Sequence, residues 1–341
     1  MKTVTLGSTG ICVPQNAFGA LPVQRVMKDQ AVALLRRARS GGITFFDTAR
    51  AYSDSEEKLG LAFGGHWDGI YVATKTAALT PEDFWRDLET SLSLLKTDHI
   101  DIYQFHNAAQ CFRPGDGTGM YECMLEAKKQ GKIRHIGATA HRIDIAEEII
   151  DSGLYETLQF PFSYISSERE QALAEKCRRA NMGLIAMKGL AGGLIRRSDA
   201  AFAFISQFEN VLPIWGIQRE RELDEWLAFF KTPAVMTDEL RSFIETERRE
   251  LTGEFCRGCG YCMPCPAGIE INNCARVSLM LRRAPSAAWL TPDMQEKMKR
   301  IEGCLHCGRC ASKCPYGLDT PALLQKNYED YKNVLAGTTK V

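Results

Sequence analysis

The sequence predicts an α/β chain in two parts. A closed (β/α)8 barrel is expected over 1–235, and a mostly helical, cysteine-rich domain over 254–341, with a helical linker at 236–253. Three observations carry this. Strand-like apolar runs alternate with helix-like runs eight times. No G-x-G-x-x-G follows an early strand, which disfavours the alternative of an open, doubly wound sheet. Nine of the thirteen cysteines fall after residue 255. Parallel strands need crossover helices, so eight such units in one stretch imply a closed barrel.

The elements follow in order. "TVTLG…ICVPQ" reads as a short hairpin and "QNAFGAL" as the first barrel strand. "ITFFDT" (43–48) leads to the helix "SEEKLGLAF". "GIYVATK" (69–75) leads to "PEDFWRDLETSLSLL", where Pro81 suits a helix start. "IDIYQFH" (100–106) leads through a glycine-rich loop to "YECMLEAKKQG", which stops at a glycine. "IRHIGATA", "ETLQFPFS", "GLIAMKG" and "VLPIWGI" are the later strands. Their helices are "IDIAEEIIDSG", "EREQALAEKCRRAN", "DAAFAFISQF" and "ERELDEWLAFF". Residues 237–251 form a further helix whose charges are expected to face solvent.

Composition narrows the function classes. The chain is 45% hydrophobic and 25% charged, enough apolar material for a large core. Lys+Arg and Asp+Glu are both 42, so no basic field points to nucleic acid or an anionic membrane. No apolar run approaches the ~20 residues of a membrane span. The start lacks a signal peptide's apolar stretch, and the expected location is cytoplasmic.

Barrel chemistry sits at the carboxyl ends of the strands. Asp47 ends "ITFFD", Lys75 ends "IYVATK" and His106 ends "IDIYQFH", with Tyr52 five residues past Asp47. Any one alone reads as a salt bridge or a satisfied core residue. Together they lie on neighbouring strands and can converge. A lysine beside a tyrosine favours the phenolate, which is about 10 in pKa when unperturbed. A carboxylate fixes the ammonium. The tyrosine can then protonate a carbonyl oxygen, and a histidine can polarise it.

"FFDTARAYSDSEEKLG", "VATK", "IDIYQFHN" and "HIGATAHR" resemble the aldo/keto reductase superfamily over about 1–235. The resemblance implies reduction of small carbonyl substrates, or oxidation of alcohols, with NADPH or less often NADH. It also implies a tetrad of Asp47, Tyr52, Lys75 and His106. Gln159 matches the glutamine that holds the nicotinamide amide. The usual Ser-Asn pair stands as Thr139-Ala140, and Met187 lies nearest the usual stacking tyrosine. Arg219 matches a 2′-phosphate contact and Glu225 the adenine-side acid, with Trp226 in place of the usual asparagine. Gly192 and Gly193 lie where backbone approaches a pyrophosphate; a simple turn is the other reading.

Cys304, Cys307, Cys310 and Cys314-Pro315 have the C-x2-C-x2-C-x3-C-P spacing of bacterial ferredoxins. Cys256, Cys259, Cys262 and Cys265-Pro266 repeat it one residue shorter. In two-cluster ferredoxins the fourth cysteine serves the other cluster. The same crossing here gives one [4Fe–4S] set of Cys256, Cys259, Cys262 and Cys314, and a second of Cys304, Cys307, Cys310 and Cys265. Zinc is the alternative metal. Cys274 is expected to be packing, and Cys12, Cys111, Cys123 and Cys177 buried or idle. The helical segments between the two runs are expected either to cover the barrel or to form a docking face.

Two function classes remain. The first is a carbonyl reductase in which the clusters serve electron transfer, regulation or structure. The second is an electron-transfer protein linking a ferredoxin-like partner to a substrate or flavin in the barrel; no flavin motif is present. A scaffold whose sites are relics is a third. Substrate choice would rest with loops such as "NAAQCFRPGDGTGM" after His106, with Phe18 and Trp85 as candidate lining residues.

Overall fold

The N-terminal hairpin decides which end of the barrel is open. Thr3–Thr5 (β1) and Cys12–Pro14 (β2) pair antiparallel. Val4, Leu6, Ile11 and Val13 turn inward and pack on Phe45, Ala73, Ile102, Ile185 and Leu212. Backbone bonds tie the hairpin to the strand starts: Gly7 bridges Met182. Gln15 Nε2 donates to the carbonyls of Phe208 and Val211 at 2.6 and 2.9 Å. One end of the barrel is thus plugged with side chains, and the carboxyl end is left for chemistry. This computed structural model describes residues 1–251, 255–283 and 286–340.

Eight parallel strands close the barrel: Ala17–Gly19 (β3), Phe45–Asp47 (β4), Tyr71–Thr76 (β5), Ile100–Phe105 (β6), Ile133–Thr139 (β7), Thr157–Pro161 (β8), Gly183–Met187 (β9) and Val211–Gly216 (β10). Strand order follows the chain, and β10 pairs with β3. The crossover helices are Lys28–Ser40 (α1), Ser55–Phe63 (α2), Pro81–Leu95 (α3), Met120–Lys129 (α4), Ile143–Ser152 (α5), Glu168–Arg179 (α6), Ser198–Ile205 (α7) and Glu220–Lys231 (α8).

Local chemistry explains these bounds. The strands are covered on both faces, so β8 and β9 are buried at every residue. Thr80 caps α3 by accepting from Asp83 N, with Pro81 in its first turn. Ser167 and Glu170 form a capping box at α6. On α5 the spacing of Ile145, Ala146, Ile149 and Ile150 gives one buried face. The strand expected over 43–48 spans only Phe45–Asp47 because its ladder to β3 has two partners. Trp226 is a core residue: its ring stacks on Trp215, centroids 3.9 Å apart and 7° from parallel. Gly189 lets the Trp215 ring through, since a Cβ there would lie 2.5 Å from it.

The chain divides into two compact units: Met1–Gly189 with Ser198–Arg241, and Leu190–Arg197 with Ser242–Val341. Residues 252 and 253 of the expected linker, and 254, lie outside the described residues. The second unit carries most of Asp238–Glu250 (α9), then Ile271–Cys274 (α10), Val277–Arg283 (α11), Pro292–Lys299 (α12), Arg309–Ser312 (α13) and Thr320–Leu335 (α14). The helices between the cysteine runs build this unit's own core. Ile271, Val277, Leu281, Met294 and Met298 pack with Leu324 and Tyr331 of α14. Cys274 lies in that core. α9 is not wholly a solvated face: Glu247 is buried against Arg283, at 2.6 and 2.9 Å. Among the described residues no helix is long and apolar enough to cross a membrane.

Candidate active site and cysteine cavities

Asp47 and Lys75 end adjacent strands and are both buried. Lys75 Nζ donates to Asp47 Oδ1 and Oδ2 at 2.7 and 2.8 Å and to the Thr48 carbonyl at 2.5 Å. Burial pushes the Asp47 carboxyl up and the Lys75 ammonium down, each opposed by their mutual attraction. Tyr52 is half-buried, and its ring centroid lies 5.2 Å from Lys75 Nζ. The His106 ring meets Tyr52 edge-on, centroids 5.6 Å apart. All four residues therefore share one patch at the carboxyl end of the first unit.

Burial, with the nearby charges of Lys75 and Lys188, brings the His106 imidazolium down to about 3. His106 is thus neutral across the physiological range and offers one ring N–H. The sign of the linkage follows. Below 6.5 the unfolded chain binds a proton that the folded site refuses, so stability falls as pH drops from 6.5 toward 3. The expected NMR result is a His106 ring that does not titrate between pH 5 and 8. Denaturant unfolding of His106→Gln should lose that part of the acid slope. A His106 midpoint near 6.5 would contradict the geometry.

Two residues that sequence reasoning missed support this patch. Glu56 of α2 is buried, pairs with Arg50, and accepts from Thr74 Oγ1 and Ser91 Oγ at 2.6 and 2.7 Å. It anchors the segment that carries Tyr52. Gln104, a polar residue within an apolar strand, donates from Nε2 to Gln159 Oε1 at 3.0 Å. The breaks in the apolar pattern of "IDIYQFH" and the acidic pair in "SEEKLG" were the available signals.

The other candidates are dispersed. Gln159 is buried, accepts from Gln104, and lies 3.5 Å through Nε2 from Asp47 Oδ1. Thr139 Oγ1 accepts from Asn107 N at 2.6 Å, holding the loop after His106. His141 Nδ1 lies 3.1 Å from Asn107 Oδ1 in the same loop. Arg219 is the exposed N-cap of α8, where Glu222 already accepts from the backbone amides of Gln218 and Arg219. Glu225 is exposed on that helix. Gly192 and Gly193 belong to the second unit, where Gly192 O accepts from Arg276 at 2.6 Å.

In the second unit eight cysteines line two cavities. One is lined by Cys256, Cys259, Cys262 and Cys314. The other is lined by Cys265, Cys304, Cys307 and Cys310, and Cys262 lines it as well. The fourth cysteine of each run thus sits at the cavity of the other run. All thirteen cysteines are free thiols. Burial, then the charges of Cys256 and Cys259, push the Cys262 thiol up to about 12. Burial also raises Cys310, with Cys304 and Cys265 adding to it. Soft thiols crowded in fours suit a cationic iron–sulfur core that would partly offset their charge as thiolates. Among the described residues no three Cys, His, Asp or Glu side chains close on a single metal ion.

Known proteins share this architecture. The chain is 28% identical over 214 residues to aldo-keto reductase YhdN of Bacillus subtilis, covering 57% of this chain and 64% of YhdN. It thus spans less than two thirds of that relative. Oxidoreductase YrpG of the same organism, itself uncharacterized, is 26% identical across 79% of this chain and 98% of YrpG. The aldo-keto reductase of Klebsiella pneumoniae, solved in complex with NADPH, superimposes with a TM-score of 0.62 at 24% identity, over 72% of this chain and 94% of that one. AKR11C1 of Bacillus halodurans, in its holo form, gives 0.64 at 20%, over 72% and 96%. With residues 255–319 matching a 4Fe-4S dicluster domain and residues 15–210 matching the aldo/keto reductase family, the chain belongs to that family.

Proposed function

We propose that the protein is an oxidoreductase that interconverts a small carbonyl compound and its alcohol with NADPH or NADH, and that its second unit holds two [4Fe–4S] clusters. The observation that carries the first half is the convergence of Tyr52, Lys75, Asp47 and His106 at the open end of the barrel. A bound nicotinamide would supply the hydride for the carbonyl carbon. Tyr52 gives its hydroxyl proton to the carbonyl oxygen. Lys75, held by Asp47 and the Thr48 carbonyl, offsets the phenolate left behind. Neutral His106 polarises the same oxygen through its ring N–H. The reverse reaction returns the proton to Tyr52.

The cofactor contacts fit unevenly. Exposed Arg219 and Glu225 suit the adenosine end, and the NADPH complex of the Klebsiella fold neighbour agrees with this use of the barrel. Gln159 and Thr139 are engaged within the protein, so the carboxamide end needs their release or other partners. That engagement favours the second reading, in which the barrel serves one-electron traffic with a ferredoxin-like partner.

For the second unit, the cavity pairs support Cys256, Cys259, Cys262 and Cys314 as one ligand set and Cys304, Cys307, Cys310 and Cys265 as the other. The test is anaerobic turnover of a panel of aldehydes and ketones with NADPH or NADH, with the clusters followed by electron paramagnetic resonance. The expected result is coupled cofactor oxidation and alcohol formation. Cluster reduction without alcohol from any member would instead select the electron-transfer reading.

A further inference from the structure

Among the described residues the second unit has two buried arginines, and only one of them has an acidic partner. Arg283 is paired to Glu247 and Glu250 and also donates to Leu194 O. Arg276, just before α11, is 6% exposed. Its Nη2 donates to Gly192 O at 2.6 Å and to Met280 Sδ at 3.0 Å, and its Nε is buried without a partner. No carboxylate pairs with it among the described residues. A buried cation left without a counter-charge is costly.

The space around it is built. A Cβ on Gly258 would fall 2.3 Å from Arg276 Nη1, and one on Gly192 would fall 2.9 Å from it. Both glycines adopt a positive φ. Gly258 stands in the first cysteine run and donates its backbone N–H to Cys256 Sγ at 3.4 Å. The guanidinium therefore lies against the backbone of Gly258, whose N–H reaches Cys256 Sγ, one of the sulfurs that line a cysteine cavity. Burial pushes the Arg276 guanidinium down, and the neighbouring Cys256 sulfur opposes that shift.

We infer that Arg276 is the counter-charge of the cluster bound by Cys256, Cys259, Cys262 and Cys314, and that it raises that cluster's reduction potential. This rests on the two-cluster reading above. A cubane held by four thiolates is an anion and becomes more negative on taking one electron. A fixed positive charge beside it favours the reduced state, and burial protects the effect from salt screening. Arg276 is a positioning and tuning residue, since it does not ligate iron. The glycines at 192 and 258 are what allow a full guanidinium so close.

The test uses full-length protein purified without oxygen. Iron and sulfide are measured first; a parent lacking them would overturn the two-cluster reading itself and leave nothing for Arg276 to tune. Dithionite titrations followed by electron paramagnetic resonance then compare the parent with Arg276→Gln and Arg276→Lys. The expected result for Arg276→Gln is a lower potential for one cluster, by about tenfold in the reduction equilibrium, or ~59 mV for one electron. The other cluster should not move, and Arg276→Lys should restore most of the shift. No shift in Arg276→Gln, or an equal shift of both clusters, overturns the inference. If Arg276→Gln loses one cluster, retention in Arg276→Lys supports a charge requirement. Loss in both variants means that shape rather than charge is needed, and overturns it.

Discussion

Tyr52→Phe should reduce carbonyl turnover by about 10²–10⁴-fold while leaving the fold and the iron content unchanged. The variant keeps the ring, so the edge contact with His106 and the cation–ring contact with Lys75 survive. It removes only the hydroxyl proposed to deliver the proton. Tyr52 is half-buried, and loss of one hydrogen-bonding group there costs about 1 kcal/mol of stability. The measurement is kcat and KM for a turned-over aldehyde, beside thermal unfolding. The loss should fall on kcat, because the proton moves only in the transition state. Unchanged kcat would remove Tyr52 from the mechanism and leave the barrel without an acid.

Lys75→Met should be the most destabilising change in the tetrad, by roughly 3–5 kcal/mol. Lys75 supplies two short bonds to the buried Asp47 carboxylate, which Gln159 meets only at 3.5 Å and Gln104 also approaches. Removing it strands a charge in the barrel interior. Adding Asp47→Asn should recover most of the stability and none of the activity, since the uncharged pair no longer needs solvation. Urea unfolding of the two single variants and the double completes the cycle. The pH dependence has a definite sign. With its cation gone, burial holds the folded Asp47 carboxyl above its unfolded value of 3.8. The folded state then binds more protons, so the variant loses stability as pH rises from 3.8 to the raised value, and levels off above it. Lys75→Met should accordingly be less impaired at the acid end of that window than above it. Equal deficits at both would mean that the lost lysine stem, not the stranded charge, causes the instability.

Much of this protein is legible in one dimension because its key residues are punctuation. Asp47, Lys75 and His106 stop apolar strands, and a parallel barrel brings all strand ends to one rim. The eight cysteines of the two tight runs are legible because a short loop can present three thiols to one point only at tight spacing. The alternation of β8 and β9 with amphipathic helices likewise follows from residue type and period.

Tertiary structure decided the rest, through partners distant in the chain. Glu56 reads as a solvated helix residue until Thr74 and Ser91 close over it. Gln159 matches a nicotinamide contact in the sequence, and in the fold Gln104, 55 residues earlier, engages it. Glu247 on the charged helix α9 becomes a buried partner only where Arg283 meets it. Leu190–Arg197 follows a barrel strand in sequence yet joins the second unit, where Arg276 holds Gly192. Residue type and spacing determine which groups a strand end or a cysteine loop presents. Burial and charge pairing are set by whatever packs opposite, and only the folded chain supplies that neighbour.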